Sequence, residues 1–129
     1  VQQLEATEAA MSATTAGVAA GITEPVPDYV LQALKMDIVT PPAFSKAIED
    51  GTDVSASVLQ QTLDQYTSGQ VKLLVYNVQT TGPQSDAVIA AAKKAAVPAV
   101  PVSETLPPGL DYIQWQQGVL AEIAKDLAP

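Results

Sequence analysis

The chain has no cysteine and no histidine. The first absence removes disulfides, thiolate metal sites and cysteine nucleophiles together, and leaves the redox compartment open. The second removes the imidazole on which Ser/His/Asp triads and most transition-metal sites depend, so a metal held by these residues alone is held by oxygen. Arginine is absent as well, and 14 acidic residues against 6 basic ones, all lysine, give a net charge of -8. A field of that sign repels phosphate backbones, and no basic stripe offers a footprint for nucleic acid. Aromatic residues are scarce, at 5%. No apolar run approaches the roughly 20 residues of a membrane helix, and no basic start leading into an apolar stretch reads as a signal peptide. A glycine-rich phosphate loop, a dinucleotide fingerprint and a nucleophile elbow are all missing.

What is present is a chain of 129 residues, 47% of them hydrophobic, enough for one domain with its own core. Its surplus of carboxylates is in the first place a solvated face, so acidity alone does not indicate a metal. Residues 1–11 read as the end of a helix already in progress, with no cap and no opening turn. A short apolar run between glycines, 17–22, reads as a buried strand. Pro27 and Asp28 open a helix that stops near Lys35, because proline at a helix start lacks only an N–H that has no partner there. Residues 36–39 form a weak strand candidate ended by Pro41 and Pro42, and 43–48 repeat apolar residues at helical spacing up to the Asp50-Gly51 break. Ser55 caps a helix that carries Val58, Leu59, Leu63 and Tyr66 on one face. The clearest strand is 71–76, apolar almost throughout and therefore central in a parallel sheet. A helix over 84–96 ends in Lys93-Lys94, where the helix dipole favours cations. A strand over 97–102 then leads through the loop 103–109 into a final amphipathic helix. Strands alternating with helices predict a three-layer α/β/α lobe with a four-stranded, mainly parallel sheet.

In such a sheet ligands are held outside the carboxyl ends of the strands. Glu24, just after the first strand, Glu104, in the loop after the fourth, and Asp111, at the opening of the last helix, are the candidate oxygen donors on that edge. Each has a plainer use: Glu24 as an exposed loop residue or helix cap, Asp111 as the cap of the last helix. Asn77, following the third strand, has the position of a residue that satisfies the backbone of the next turn. Asp50-Gly51-Thr52-Asp53 has the look of a calcium-loop fragment but lacks the further acidic positions, and reads as a turn. Tyr112 and Trp115, three apart on the last helix, read as core or interface residues.

The segments Thr23-Glu24-Pro25-Val26-Pro27-Asp28-Tyr29, Thr40-Pro41-Pro42-Ala43-Phe44-Ser45-Lys46, Val75-Tyr76-Asn77-Val78-Gln79-Thr80, Pro98-Ala99-Val100-Pro101-Val102-Ser103-Glu104-Thr105-Leu106-Pro107-Pro108-Gly109 and Tyr112-Ile113-Gln114-Trp115 stand in an order and spacing that specify more than any one of them. Together they resemble the carboxy-terminal lobe of the solute-binding proteins of bacterial zinc and manganese ABC transporters, the TroA-like family, some of whose members are associated with cell adhesion. The resemblance implies no enzyme. It implies an extracytoplasmic protein, in the periplasm or held at the cell surface as a lipoprotein, that captures a divalent transition metal between two lobes and passes it to a membrane permease. It also implies that residues 1–15 are the end of an interlobe linker helix, that 16–129 are the carboxy-terminal lobe, and that an amino-terminal lobe supplying two histidine ligands is absent. This lobe would add one or two ligands, drawn from Glu24, Glu104 and Asp111, while the histidine or glutamate typical of the family near Thr40 has no counterpart. Alone, the chain is expected to hold no cofactor and to expose an apolar former interface that favours dimerisation. The alternative from another class is a receiver-like or flavodoxin-like regulatory domain, for which the acidic cluster, the strand-end lysine and the flavin phosphate loop are not visible.

Overall fold

A computed structural model describes residues 2–25, 27–79, 82–103, 109 and 111–127. The elements run α1 (Gln2–Thr15), β1 (Ala19–Ile22), α2 (Asp28–Ala33), β2 (Asp37–Ile38), α3 (Pro42–Asp50), α4 (Ala56–Thr67), β3 (Leu73–Asn77), α5 (Pro83–Lys94), β4 (Ala99–Val102) and α6 (Tyr112–Leu127). All strand pairs are parallel and the sheet order is β2-β1-β3-β4. Alternation along the strands divides the core. Ala20 and Ile22 of β1, Leu73 and Val75 of β3 and Val100 and Val102 of β4 face α1, α2 and α6, where they meet Leu4, Leu31 and Leu120. Leu74 of β3 faces the other way, onto Phe44 of α3, Tyr66 of α4 and Val88 of α5. The expected three layers are therefore formed, with α1 packed as part of one of them.

Local chemistry sets the helix limits. Ser55 accepts the Val58 N–H at 3.3 Å at the start of α4, and Pro42 and Pro83 occupy first-turn positions where no donor is lost. Four helices end alike. The N–H of Met36, Thr52, Gln70 and Val97 each reaches back five residues, to the carbonyls of Leu31, Ala47, Gln65 and Ala92. The residue before each of them, Lys35, Gly51, Gly69 or Ala96, has positive φ, which is the Schellman ending. These endings consume the residues that periodicity assigned to the starts of the third and fourth strands, so β3 begins at Leu73 and β4 at Ala99 rather than at 71 and 97.

Edge strand β2 has only two residues, and beyond it the Thr40 hydroxyl continues the pairing by accepting the Ile22 N–H at 2.9 Å. The other edge, β4, carries Pro101, which has no N–H to offer a further strand. In the centre, Gly21 of β1 lies under Tyr66: a Cβ at this position would come within 2.2 Å of the tyrosine Oη. Only glycine leaves room for that ring over the strand.

Candidate functional site

After β1 the chain turns to the face bearing α2, and after β3 to the face bearing α5. These neighbouring strands therefore part at their carboxyl ends and open a crevice at the point where the winding reverses, where open α/β sheets hold ligands. The parallel register sets Ile22 level with Val75. Two residues further on, Glu24 and Asn77 face one another across the crevice.

Both are buried, Glu24 at 5% and Asn77 at 2% exposure, and they are joined by a hydrogen bond from Asn77 Nδ2 to Glu24 Oε1. Asn77 is fixed in turn by its own backbone and side chain. Its Oδ1 accepts the Gln79 N–H at 2.9 Å, and its N–H is directed at Thr23 Oγ1 at 3.4 Å. The plain reading of Asn77 as the residue that satisfies the next turn is thus correct but incomplete, because the same amide binds the carboxylate. The exposed-loop reading of Glu24 does not hold, since the residue is buried.

Asp111 is held differently. It is exposed, its Oδ1 accepts the Gln114 N–H at 2.8 Å, and Gln114 Oε1 accepts the Asp111 N–H at 3.1 Å. That reciprocal pair is a capping box at the start of α6. The first turn of α6 is nevertheless at the same edge of the sheet as Glu24, because Trp115 shares an apolar groove with Val78, Val102 and Ser103 at the ends of β3 and β4. Glu104 is outside the described residues. Thr40, near which the resemblance implies a ligand, is 5% exposed and occupied with the backbone of Ile22.

Asp28, at the start of α2, has its carboxyl held above the ordinary range by burial and then by the charge of Glu49. The large hydrophobic side chains left exposed among the described residues are Tyr29, in the first turn of α2, and Val78, just after β3. No three of the described His, Cys, Asp and Glu residues gather closely enough to hold a metal ion. Among the described residues, this edge offers one buried carboxylate, oriented by the Asn77 amide, with apolar surface beside it. Sequence reasoning placed Glu24 at the carboxyl edge of the sheet from its position after the first strand. It singled out Asn77 only as a residue for the next turn, and missed that its amide binds Glu24 and that the Thr23 hydroxyl lies against its N–H; the signal for these was polar residues where apolar strands end.

Comparison with known proteins bears on what such an edge serves. The family model described as "Zinc-uptake complex component A periplasmic" matches residues 1–126. The chain belongs to this family. Its membership displaces the receiver-like or flavodoxin-like alternative. No curated protein matches the chain significantly. Among solved structures, that of a mutant of the laminin-binding adhesin Lmb from Streptococcus agalactiae is similar, with a TM-score of 0.64 at 14% identity. The match takes in 98% of this chain and 47% of the adhesin, so the zinc-uptake family chain spans about half the length of that neighbour. At that identity the likeness speaks for the α/β fold.

Proposed function

We propose that this chain is one lobe of an extracytoplasmic solute-binding protein that takes a divalent transition metal, zinc or manganese, between two lobes and delivers it to the permease of an ABC transporter. The observation that carries the reading is the buried, oriented Glu24 carboxylate at the reversal of the sheet, in a chain whose family is that of zinc uptake. Its role is to bind cargo; no bond is made or broken.

On this reading Glu24 is the main oxygen donor from this lobe and Glu104 the second. Asp111 serves first as the cap of α6, with Oδ2 as the oxygen open to a metal. Nitrogen ligands come from the partner lobe, since this chain has none to give. Oxygen donors alone suit manganese and calcium better than zinc, so the partner lobe's ligands set the preference. Residues 2–15 form the link to that lobe, and Tyr29 and Val78 are exposed apolar side chains that closure would cover.

The reading predicts a half-site. Calorimetric titration of this chain with zinc and with manganese should show weak binding or none, whereas the two-lobed protein should bind at least one of them below micromolar concentration. Sub-micromolar binding by this chain alone would mean that it carries a complete site, and the half-site reading would be wrong.

A further inference from the structure

We infer that Asn77 is the positioning residue of the metal site: its side-chain amide fixes the direction of the Glu24 carboxylate before metal arrives. The inference rests on the reading of Glu24 as a ligand and adds to it the residue that sets the ligand's geometry. A carboxylate on a flexible side chain can offer one oxygen or two and in many directions. A ligand that is already oriented loses less freedom on binding and favours one coordination geometry over others.

The hydrogen bonds determine which way the amide points. Asn77 Oδ1 accepts the Gln79 N–H at 2.9 Å, so Nδ2 is the group turned toward Glu24 Oε1. Reversed, the amide would set its donors against the Gln79 N–H and its carbonyl oxygen against the carboxylate, two repulsions in place of two hydrogen bonds. Burial on the central strand removes the freedom to move away: Asn77 is the last residue of β3, 2% exposed, paired with Val102 of β4 and adjoining Thr23 Oγ1 of the β1 end. The geometry of the site is thus tied to the two central strands of the sheet.

Asn77→Asp and Asn77→Ala in the two-lobed protein test this, beside Glu24→Gln. Aspartate keeps the acceptor for Gln79, and with it the turn, while removing the donor to Glu24. Both Asn77 variants should bind zinc more weakly by about 10–100-fold, the usual cost of losing a group that orients a ligand. With cobalt(II) as the probe, at saturation, their d–d absorption should differ from that of the parent protein, a change that loss of stability alone does not produce. Melting of the metal-free forms reports stability separately. For the case in which neither variant folds, the side-chain amide resonance of Asn77 in the unaltered protein should move when zinc is added.

Parent-like affinity and cobalt spectrum in the folded Asn77 variants, with Glu24→Gln losing metal, overturn the positioning role and leave Glu24 as the ligand. An Asn77 amide resonance that zinc leaves in place does the same. Unchanged affinity in Glu24→Gln removes Glu24 from the site, and the positioning role falls with it.

Discussion

Tyr66 shows how one residue couples packing, polarity and pH. Its ring is 1% exposed against β1 and its Oη has no protein partner among the described residues. Burial raises its pKa above the ordinary value of 10.0. Between those two values an unfolded chain gives up the phenolic proton and the folded protein keeps it, so the unfolded state binds fewer protons and stability falls as pH rises past about 10. Tyr66→Phe should remove that part of the alkaline loss. At neutral pH it should stabilise the protein by about 1 kcal/mol, because a buried hydroxyl without a partner is relieved. Denaturant unfolding of both proteins at pH 7 and pH 10.5 checks both statements. The sequence shows Tyr66 on the apolar face of its helix, yet nothing in it pairs Tyr66 with Gly21, since that contact depends on α4 crossing β1.

At the scale of elements, the helix endings carry the energetic detail. Lys35 and Ala96 occupy left-handed positions, with φ of 57° and 58°, where a side chain costs about 1–2 kcal/mol. Ala96→Gly should therefore stabilise the protein by up to about 1 kcal/mol, the gain being reduced by the extra freedom of glycine in the unfolded chain. A fall in the melting temperature would show that the Schellman ending of α5 is not strained. The start of α6 runs the other way: Asp111→Ala removes half of the capping box and should cost about 0.5–2 kcal/mol, and Asp111→Asn should restore most of it, both read from thermal unfolding. The existence and type of these elements were legible from period and punctuation. Their starts were less so, because Val71 and Val97 look like strand residues and belong to helix endings, with their N–H groups bonded to Gln65 and Ala92. Hydrophobic pattern reports which side of a residue is buried, and both a strand and a Schellman turn bury a valine.

For the whole molecule, the alternation of strands and helices was enough to give a parallel three-layer lobe, and with it the edge on which Glu24 and Asp111 stand. The strand order was not in the pattern. Glu24 and Asn77 are 53 residues apart in sequence, and they meet only because β1 lies beside β3 while β2 is sent to the outer edge. Two residues that separately looked like loop chemistry thereby become one buried polar pair at the reversal of the winding. The most direct test of the account is the zinc and manganese affinity of the two-lobed protein, measured by competition, with and without Glu24→Gln. Glutamine keeps an oxygen to accept from Asn77 and a side chain of the same shape, so the metal-free melting temperature should stay close to that of the parent. The account predicts that metal affinity nevertheless falls by at least tenfold, or about 1.4 kcal/mol or more. Unchanged affinity for both metals in a variant that melts like its parent would contradict it.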